Sequence, residues 1–218
     1  MQHVPRETSQ TDRLDAALRR LLPQIDSTVC AVFKKHYEIL CLWNSTHNLT
    51  RITVPEDAAL LHYVDSLLPL RSLPPPTSVV DIGSGTGLPG IAAAALWPSV
   101  PVTLVDSSAK KSSFLRAVRA QIQNIRVEVV QGRCESIPAQ QVDLALIRAT
   151  FNWPEIPGQV ARHLATNGRL LAYLGQEAPS NQQWAAVVEK ANLGQPDLCK
   201  YLLPDHSHIR HAAFATKE

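Results

Sequence analysis

The stretch VVDIGSGTGLPG, residues 79–90, decides the fold that we expect for this chain. A short apolar run leads into a glycine-rich turn, and small and apolar residues follow from Pro89 as in a helix. The 218-residue chain has only nine glycines, and four of them lie in this stretch: Gly83, Gly85, Gly87 and Gly90. Glycine is required where φ is positive or where a ligand approaches the main chain. The stretch therefore predicts a strand, a ligand-binding turn and a helix start, although a tight turn without a ligand would also use one or two glycines.

Strand-like and helix-like segments alternate after this turn. Short apolar runs rich in β-branched residues predict five strands: SVVDI (78–82), VPVTLVD (100–106), IRVEVV (125–130), VDLALIR (142–148) and GRLLAYL (168–174). Helices are predicted at 89–97, 109–123, 157–165 and 181–193. Two late runs, DLCKYLLP (197–204) and HIRHAAFATK (208–217), predict a hairpin-like edge. The predicted fold class is thus α/β, a Rossmann-like, doubly wound and mostly parallel sheet with helices on both faces.

The segment LPPPTS, residues 73–78, separates two predicted regions, because three consecutive prolines cannot continue a helix. An N-terminal helical extension is expected at 11–73, the α/β domain at 78–218, and a disordered tail at 1–10. The elements predicted in the extension are a helix capped by Thr11 or Asp12 and ending near Pro23, a helix over 29–43, a loop over 44–53 and a helix over 55–70.

Composition excludes several classes of protein. Hydrophobic residues make up 45% and charged residues 18%, so the chain can bury a core and is not wholly disordered. No apolar run approaches the ~20 residues of a membrane span, and the polar N-terminus has no signal-peptide core. Four scattered cysteines without a CxxC pair argue against zinc and disulfide scaffolds, and no metal site is expected. We expect a cytoplasmic protein that acts as a monomer and has no membrane partner.

The net charge of +2 does not by itself indicate a nucleic-acid partner. A local basic stretch stands out, however, with Glu128 as its only acid: Lys110, Lys111, Arg116, Arg119, Arg126 and Arg133. A solvated helix face with strand ends is the usual explanation of such a run.

Acidic residues end the first two predicted strands and indicate the ligand. Asp81 leads the glycine turn, where a carboxylate would attract an ammonium group and repel a pyrophosphate. Asp106 ends the second strand where a nucleoside-binding βαβ unit places the acid that holds ribose hydroxyls, and an N-cap of the next helix is its alternative role. These acids and the glycine turn predict a pocket for a zwitterionic amino acid joined to a nucleoside, which S-adenosylmethionine fits. The dinucleotide pattern GxGxxG is also present, at Gly85, Gly87 and Gly90, but its register after the strand argues against it.

Residues after the third and fourth predicted strands indicate which methyl transfers are possible. Arg148 ends the fourth strand where ligands bind in such sheets, and its guanidinium can reach guanine O6, a phosphate or a carboxylate; a salt bridge is the alternative. Cys134 and Glu135 are candidates for the adenine edge, with packing and solvent exposure as alternatives. The chain has neither an N/D-P-P-Y/F motif after the fourth strand nor a Pro-Cys pair. Guanine N7 needs neither, because its free lone pair requires only placement and alignment.

Several blocks of the chain resemble one known family. WNSTHNLTRIT (43–53), HYVDSLLPL (62–70), the glycine stretch and TLVDSSAKKSSFLRAV (103–118) occur in the order found in the bacterial small-subunit ribosomal RNA guanine-N7 methyltransferases, also called glucose-inhibited division protein B. The resemblance covers roughly residues 38–175. It implies a methyltransferase fold, S-adenosyl-L-methionine as cofactor, and N7 methylation of one guanine of 16S ribosomal RNA, position 527 in the rRNA numbering.

The resemblance also implies roles for residues of this sequence. Expected cofactor contacts, together with the glycine turn and Asp81, are Gly83, Leu88, Asp106, Cys134, Glu135 and Arg148. Arg148 is the expected catalytic residue, and no general base is needed. Residues expected to meet the RNA or the small ribosomal subunit are His47, Asn48, Lys110, Lys111 and Arg116, with packing or helix capping as the alternative role of His47. His62 and Asp65 match the family's helical signature and are expected near the pocket mouth.

The chain departs from the family at two positions, Thr150 where Phe is usual and Leu174 where Lys is usual. Other functions stay open on the sequence alone: a methyltransferase of the same fold acting on a small molecule or protein, a nicotinamide-dependent oxidoreductase, and a cofactor-binding module without catalysis.

Overall fold

The computed structural model describes residues 9–149 and 152–218. Seven strands form its sheet: β1 (Val79–Ile82), β2 (Val102–Asp106), β3 (Val127–Gln131), β4 (Val142–Arg148), β5 (Leu164–Gly175), β6 (Gly194–Leu202) and β7 (Ile209–Thr216). Their order across the sheet is β3-β2-β1-β4-β5-β7-β6. The first five strands are parallel, and β7 is antiparallel to both β5 and β6. The predicted doubly wound, mostly parallel sheet is confirmed.

Helices cover both faces of this sheet. They are α1 (Gln10–Leu21), α2 (Ser27–His47), α3 (Pro55–Ala58), α4 (Asp65–Leu70), α5 (Gly90–Leu96), α6 (Ala109–Gln121), α7 (Ile156–Val160) and α8 (Asn181–Lys190). A π-helical segment, Ala59–Val64, joins α3 to α4, and 3-10 turns at Trp153–Glu155 and Ala161–His163 flank α7. Segments of π-helix are rare and concentrate at functional sites, and this one carries His62.

Two apolar cores hold the layers together. One contains the side chains of α1 to α6 and one face of the sheet, including Leu104 and Leu146, so the N-terminal helices share a core with the strands. The other places Trp184 of α8 against the opposite face, including Val80 and Ile147. Because parallel strands are buried on both faces, their sequences are almost continuously apolar, which explains why they could be predicted.

Two helix predictions in the N-terminal region were wrong in detail. Ser9, not Thr11 or Asp12, caps α1, because its hydroxyl accepts the Asp12 N–H. The segment predicted as a loop from residue 44 continues α2 to His47, since the hydroxyls of its polar last turn bond back to helix carbonyls and Asn48 closes the helix at φ 48°.

The chain after β4 also differs from its prediction. The helix expected at 157–165 is interrupted, and β5 begins already at Leu164, where the chain pairs with Val142. The late hairpin is present, but of its two strands only β6 lies at a sheet edge, because β7 inserts between β5 and β6.

The carboxyl ends of β1, β2 and β4 meet at the point where the strand order reverses, the usual ligand position in open α/β sheets.

Within residues 9–149 and 152–218, no helix has the length and apolar character needed to cross a bilayer.

Candidate active site

The glycine turn after β1 has the backbone that the sequence predicted. φ is positive at Gly83 (71°), Gly85 (59°) and Gly87 (88°), a conformation that other residues adopt at a cost. Gly90 is needed for a different reason, because a Cβ there would overlap the Leu104 side chain and lie 2.8 Å from Oδ2 of Asp81. The main chain of the turn is therefore accessible to a ligand at the carboxyl ends of β1 and β2. The last glycine of the turn packs closely on these two strands.

Asp81 supports this turn from below. Its side chain is fully buried, and Oδ2 accepts the Gly90 N–H at 2.9 Å. Among the described residues, Oδ1 has no hydrogen-bond partner. Burial raises the pKa of Asp81 to about 7, and the Gly90 N–H opposes that rise. In this position the Asp81 carboxyl group holds the first turn of α5 against the end of β1. A direct contact between Asp81 and a cofactor stays a prediction.

His36, which was not among the predicted site residues, supports the same turn from the other side. It is fully buried on α2, and its ring nitrogens lie 2.7 Å from the Thr86 carbonyl oxygen and 2.8 Å from the Tyr63 hydroxyl. Burial lowers the pKa of His36 to about 4, so the ring is neutral and donates one N–H to Thr86 while it accepts from Tyr63. The sequence did contain a signal for this role, because His36 lies within the apolar stripe of α2.

Asp106 fixes the far side of the glycine turn. Its Oδ2 accepts the Gly85 N–H at 2.9 Å, and its Oδ1 accepts the Ser108 N–H at 2.8 Å. The N-cap of α6 is Ser108, so the alternative role of Asp106 as that cap is excluded. Lys111 lies close by, with Nζ 3.9 Å from Oδ2.

Two adjoining cavities extend along this edge of the sheet. The cofactor cavity, about 420 Å³, is lined by residues 83–86, Leu88, Asp106 and Lys111. It meets a second cavity of about 320 Å³ at Gly83, Asp106 and Ser107, and that cavity reaches Cys134 and Glu135. Most of the predicted cofactor-binding residues therefore line one continuous cleft.

Cys134 has the buried, hydrogen-bonded thiol that is typical of a structural cysteine. Its thiol is buried and donates to the Gln159 carbonyl at 3.2 Å, and burial raises its pKa to about 11. His163 lies 3.1 Å from the Cys134 carbonyl oxygen, and Arg162 donates to the Glu135 carbonyl at 2.7 Å. These contacts fix the main chain at the end of the cleft, while the Glu135 side chain is exposed.

A third, larger cavity lies beyond Arg148. This base cavity, as we call it, has a volume of about 580 Å³ and includes Ile52, Asp65, Tyr173 and Leu174 in its lining. The cofactor cavity and the base cavity share three residues: His62, Arg148 and Ala149. Ala149 has φ 54°, a strained conformation for a residue other than glycine, and such strain concentrates at functional sites. We call this shared boundary the junction.

Arg148 makes the salt bridge that the sequence left open as its alternative role, and its predicted contact with a ligand stays a prediction. Its Nη1 donates to the Ser66 hydroxyl at 2.9 Å and lies 3.8 Å from Oδ2 of Asp65, so the alternative salt bridge exists. The same guanidinium lines both cavities. His62 is beside it, 3.2 Å from the Thr50 hydroxyl, and burial together with the charge of Arg148 lowers the pKa of His62 to about 3. The imidazole at the junction is therefore neutral.

The structure groups four of the five predicted RNA-contacting residues. Lys110 donates from Nζ to the His47 carbonyl at 2.7 Å, which ties the first turn of α6 to the last turn of α2. The His47 ring packs against Trp43, with 5.1 Å between ring centroids, and Asn48 is exposed next to it. Lys111 follows at the cofactor cavity, whereas Arg116 is exposed about one and a half turns further along α6.

Other site features were not predicted. Tyr173, Tyr201 and Arg210 line the base cavity, and the last two come from the late hairpin. Thr150 lies outside the described residues, and Leu174 lines the base cavity. Within residues 9–149 and 152–218, no group of three or more His, Cys, Asp or Glu side chains could hold a metal ion.

Solved structures similar to this chain share its fold. A SAM-dependent methyltransferase from Aquifex aeolicus gives a TM-score of 0.56 at 16% identity, covering 72% of this chain and 92% of that one. A putative O-methyltransferase from Nostoc punctiforme gives a TM-score of 0.58 at 16% identity, covering 84% and 72%. At such identities the similarity establishes the methyltransferase fold alone.

Sequence comparison establishes the family. The family pattern of GidB, rRNA small subunit methyltransferase G, matches residues 29–196. The chain is 34% identical over 204 residues to "Ribosomal RNA small subunit methyltransferase G" of Methylobacillus flagellatus, covering 93% of this chain and 96% of that protein. It is 39% identical over 171 residues to the protein of the same name from Anaeromyxobacter sp. (strain Fw109-5), covering 76% and 78%. The chain therefore belongs to the GidB family, rRNA small subunit methyltransferase G.

Proposed function

We propose that this protein methylates N7 of a guanine in 16S ribosomal RNA, at position 527 of the rRNA numbering, with S-adenosylmethionine as the methyl donor. As a member of its family, it is an S-adenosylmethionine-dependent methyltransferase of small-subunit ribosomal RNA. The observation that carries the proposal is the junction, where His62, Arg148 and Ala149 separate a cofactor cavity from a base cavity. A methyl donor in one cavity and a base in the other would meet there.

The residues of the cleft fit the cofactor. Asp106 lies where the two smaller cavities adjoin, and its carboxylate keeps lone pairs for two sugar hydroxyls in addition to its main-chain bonds. The main chain of Gly83 and Gly85 approaches a ligand without a side chain in the way. Arg148 offers its guanidinium to the methionine carboxylate, and the turn at Cys134 and Glu135 would contain the adenine.

The chemistry requires alignment more than proton transfer. When bound, the cofactor supplies an electrophilic methyl group on a positively charged sulfur. The lone pair of guanine N7 would form the new N–CH3 bond as the S–CH3 bond of the cofactor breaks, and the positive charge would pass from sulfur to the purine ring. Guanine N7 carries no proton, so no side chain has to act as a base. The protein contributes placement through Arg148, and a neutral His62 adds no repulsion to the charge that moves across the junction.

The RNA would approach over the ends of α2 and α6. The Lys111 ammonium lines the cofactor cavity, the Lys110 ammonium lies at the end of α2, and Asn48 adds an exposed amide. Positive side chains in such positions bind phosphates and orient the RNA without reading its sequence. We include in the proposal that the enzyme acts as a monomer in the cytoplasm, with 16S ribosomal RNA or the small subunit as its partner.

Transfer of a labelled methyl group tests this function. Purified protein is incubated with methyl-labelled cofactor and unmethylated small subunits, free 16S ribosomal RNA, or RNA with adenine in place of the target guanine. We expect label in the first or second substrate, chain cleavage specific for N7-methylguanine at the target position, and no label in the adenine control. Label at another nucleotide, or equal labelling of the control, would refute the assignment.

A further inference from the structure

An acidic group in the wall of the base cavity has no role in the mechanism above. The Asp65 side chain is only 11% exposed, and three donors surround it. The Tyr201 hydroxyl donates to Oδ1 at 2.9 Å, Nε of Arg210 lies 3.6 Å from Oδ1, and Nη1 of Arg148 lies 3.8 Å from Oδ2. Buried ion pairs of this kind are weak contributors to stability, which makes a functional reason for the cluster worth seeking.

The order of these groups along the cavity matches the edge of guanine. Arg148 lines both cavities, and Asp65 lines only the base cavity, so a donor lies at the junction and an acceptor lies next to it. Guanine presents its acceptors N7 and O6 side by side, followed by the donors N1–H and N2–H2. With N7 at the junction, O6 would face Arg148 and the two donors would face Asp65.

We propose that Asp65 accepts hydrogen bonds from N1–H and N2–H of the target guanine and thereby selects guanine in the base cavity. This assignment rests on the proposed function, because it places the target base in that cavity. Adenine in the same orientation would place an amine against Arg148 and a lone pair against Asp65. Both contacts are unfavourable, and a site built to bond particular polar groups rejects a base that lacks them.

The late hairpin holds Asp65 for this task. Tyr201 and Arg210, from β6 and β7, both contact Oδ1, and a carboxylate has about four lone-pair positions, so acceptor capacity remains for the base. Burial and the charge of Asp65 raise the pKa of the Tyr201 hydroxyl, which keeps it a neutral donor. Tyr201 and Arg210 are thus positioning residues, which act through the orientation of Asp65.

Small subunits reconstituted with guanine or inosine at the target position test the assignment. Inosine lacks only the 2-amino group and keeps N7, O6 and N1–H. We expect wild-type protein to prefer guanine in kcat/KM by about tenfold or more, as for the loss of one hydrogen bond to a charged acceptor. In Asp65→Asn, Tyr201 and Arg210 hold the amide oxygen, so the amide nitrogen faces the base as a donor and the preference should fall to about threefold or less.

Three comparisons make this outcome specific. Any effect of the 2-amino group on the reactivity of N7 is common to both enzymes and cancels between them. Asp57→Asn, the same substitution at an exposed residue of α3, should retain the wild-type preference. The Kd for S-adenosylmethionine should stay within about twofold of the wild-type value in both variants, because Asp65 does not line the cofactor cavity.

If Asp65→Asn is unfolded or inactive, Tyr201→Phe decides the question. Loss of the Tyr201 hydroxyl should lower the preference for guanine below the wild-type value but leave it above the threefold expected for Asp65→Asn. The Kd for the cofactor should not change. The assignment is overturned if the wild type does not prefer guanine to inosine. It is also overturned if Asp65→Asn and Tyr201→Phe both keep the full wild-type preference for guanine. Absence of methyl transfer both to small subunits and to free 16S ribosomal RNA, each with guanine at the target position, would instead refute the proposed function, and the assignment with it.

Discussion

Burial keeps two titratable side chains of the site neutral, His62 at the junction and Cys134 at the far end of the cleft. The pKa of His62 is lowered to about 3 and that of Cys134 is raised to about 11, in both cases first by burial, so both groups are neutral at physiological pH. Arg148 is then the cation that the two cavities share, and Asp65 is the acid beside it. In this arrangement Arg148 would face a cofactor carboxylate in one cavity and guanine O6 in the other.

Arg148→Ala is therefore expected to retain the fold and to lower kcat/KM for methyl transfer by at least about tenfold, which corresponds to about 1.4 kcal/mol of lost transition-state stabilisation. The matched control is Arg169→Ala, an exposed arginine at the amino-terminal end of the paired region of β4 and β5. Steady-state kinetics with labelled cofactor, together with thermal unfolding, measures both effects. Turnover equal to that of the control would remove Arg148 from the site.

Asp81 should make stability depend on pH. Its pKa is raised from 3.8 to about 7 by burial, so between these values the folded chain holds a proton that the unfolded chain has lost. The free energy of unfolding of the wild type should therefore fall, relative to that of Asp81→Asn, as pH rises from 4 to about 7, and stay level above that. The asparagine cannot titrate and can still accept the Gly90 N–H. Urea unfolding at a series of pH values measures the difference.

Asp143→Asn is the control for this series. Hydrogen bonds from the Thr77 hydroxyl and N–H lower the pKa of Asp143, so its contribution is lost only as pH falls below 3.8. The difference in the free energy of unfolding between Asp143→Asn and the wild type should stay constant between pH 4 and 8. A constant difference for Asp81→Asn as well would mean that Asp81 is already charged in the folded chain.

At the scale of elements, the ends of α2 and α6 form one surface. The Lys110 bond to His47 connects helices whose contacting residues are 63 positions apart in the chain. The strands were predictable because burial on both faces leaves continuous apolar runs, as in VDLALIR. The last turn of α2 was not, because Ser45, Thr46 and His47 have the composition of a loop and are helical only through bonds back to the preceding turn.

Lys110→Ala should weaken RNA binding without changing which nucleotide is modified. Removing one phosphate contact is expected to reduce the slope of log K against log salt concentration by about 1. Binding of 16S ribosomal RNA measured between low and moderate salt gives that slope, with Lys190→Ala at the end of α8 as the control. An unchanged slope would show that the Lys110 ammonium does not contact phosphate.

At the scale of the whole molecule, the site combines segments that lie far apart in the chain. Tyr201 contacts Asp65 across 136 positions, and the base cavity draws on the N-terminal helices, β4, β5 and the late hairpin. The cofactor cleft could be predicted, because its acids and glycines follow strands in a fixed order. The walls of the base cavity could not, because nothing local in the sequence of β6 or β7 indicates that they pack beside α4.

A crystal structure of the protein with S-adenosylhomocysteine tests the central claim most directly. The account predicts the sugar hydroxyls at Asp106, the adenine beside Cys134 and Glu135, and the sulfur at the junction, directed toward the base cavity. A ligand bound elsewhere, or bound with its sulfur turned away from Arg148 and the base cavity, would contradict it.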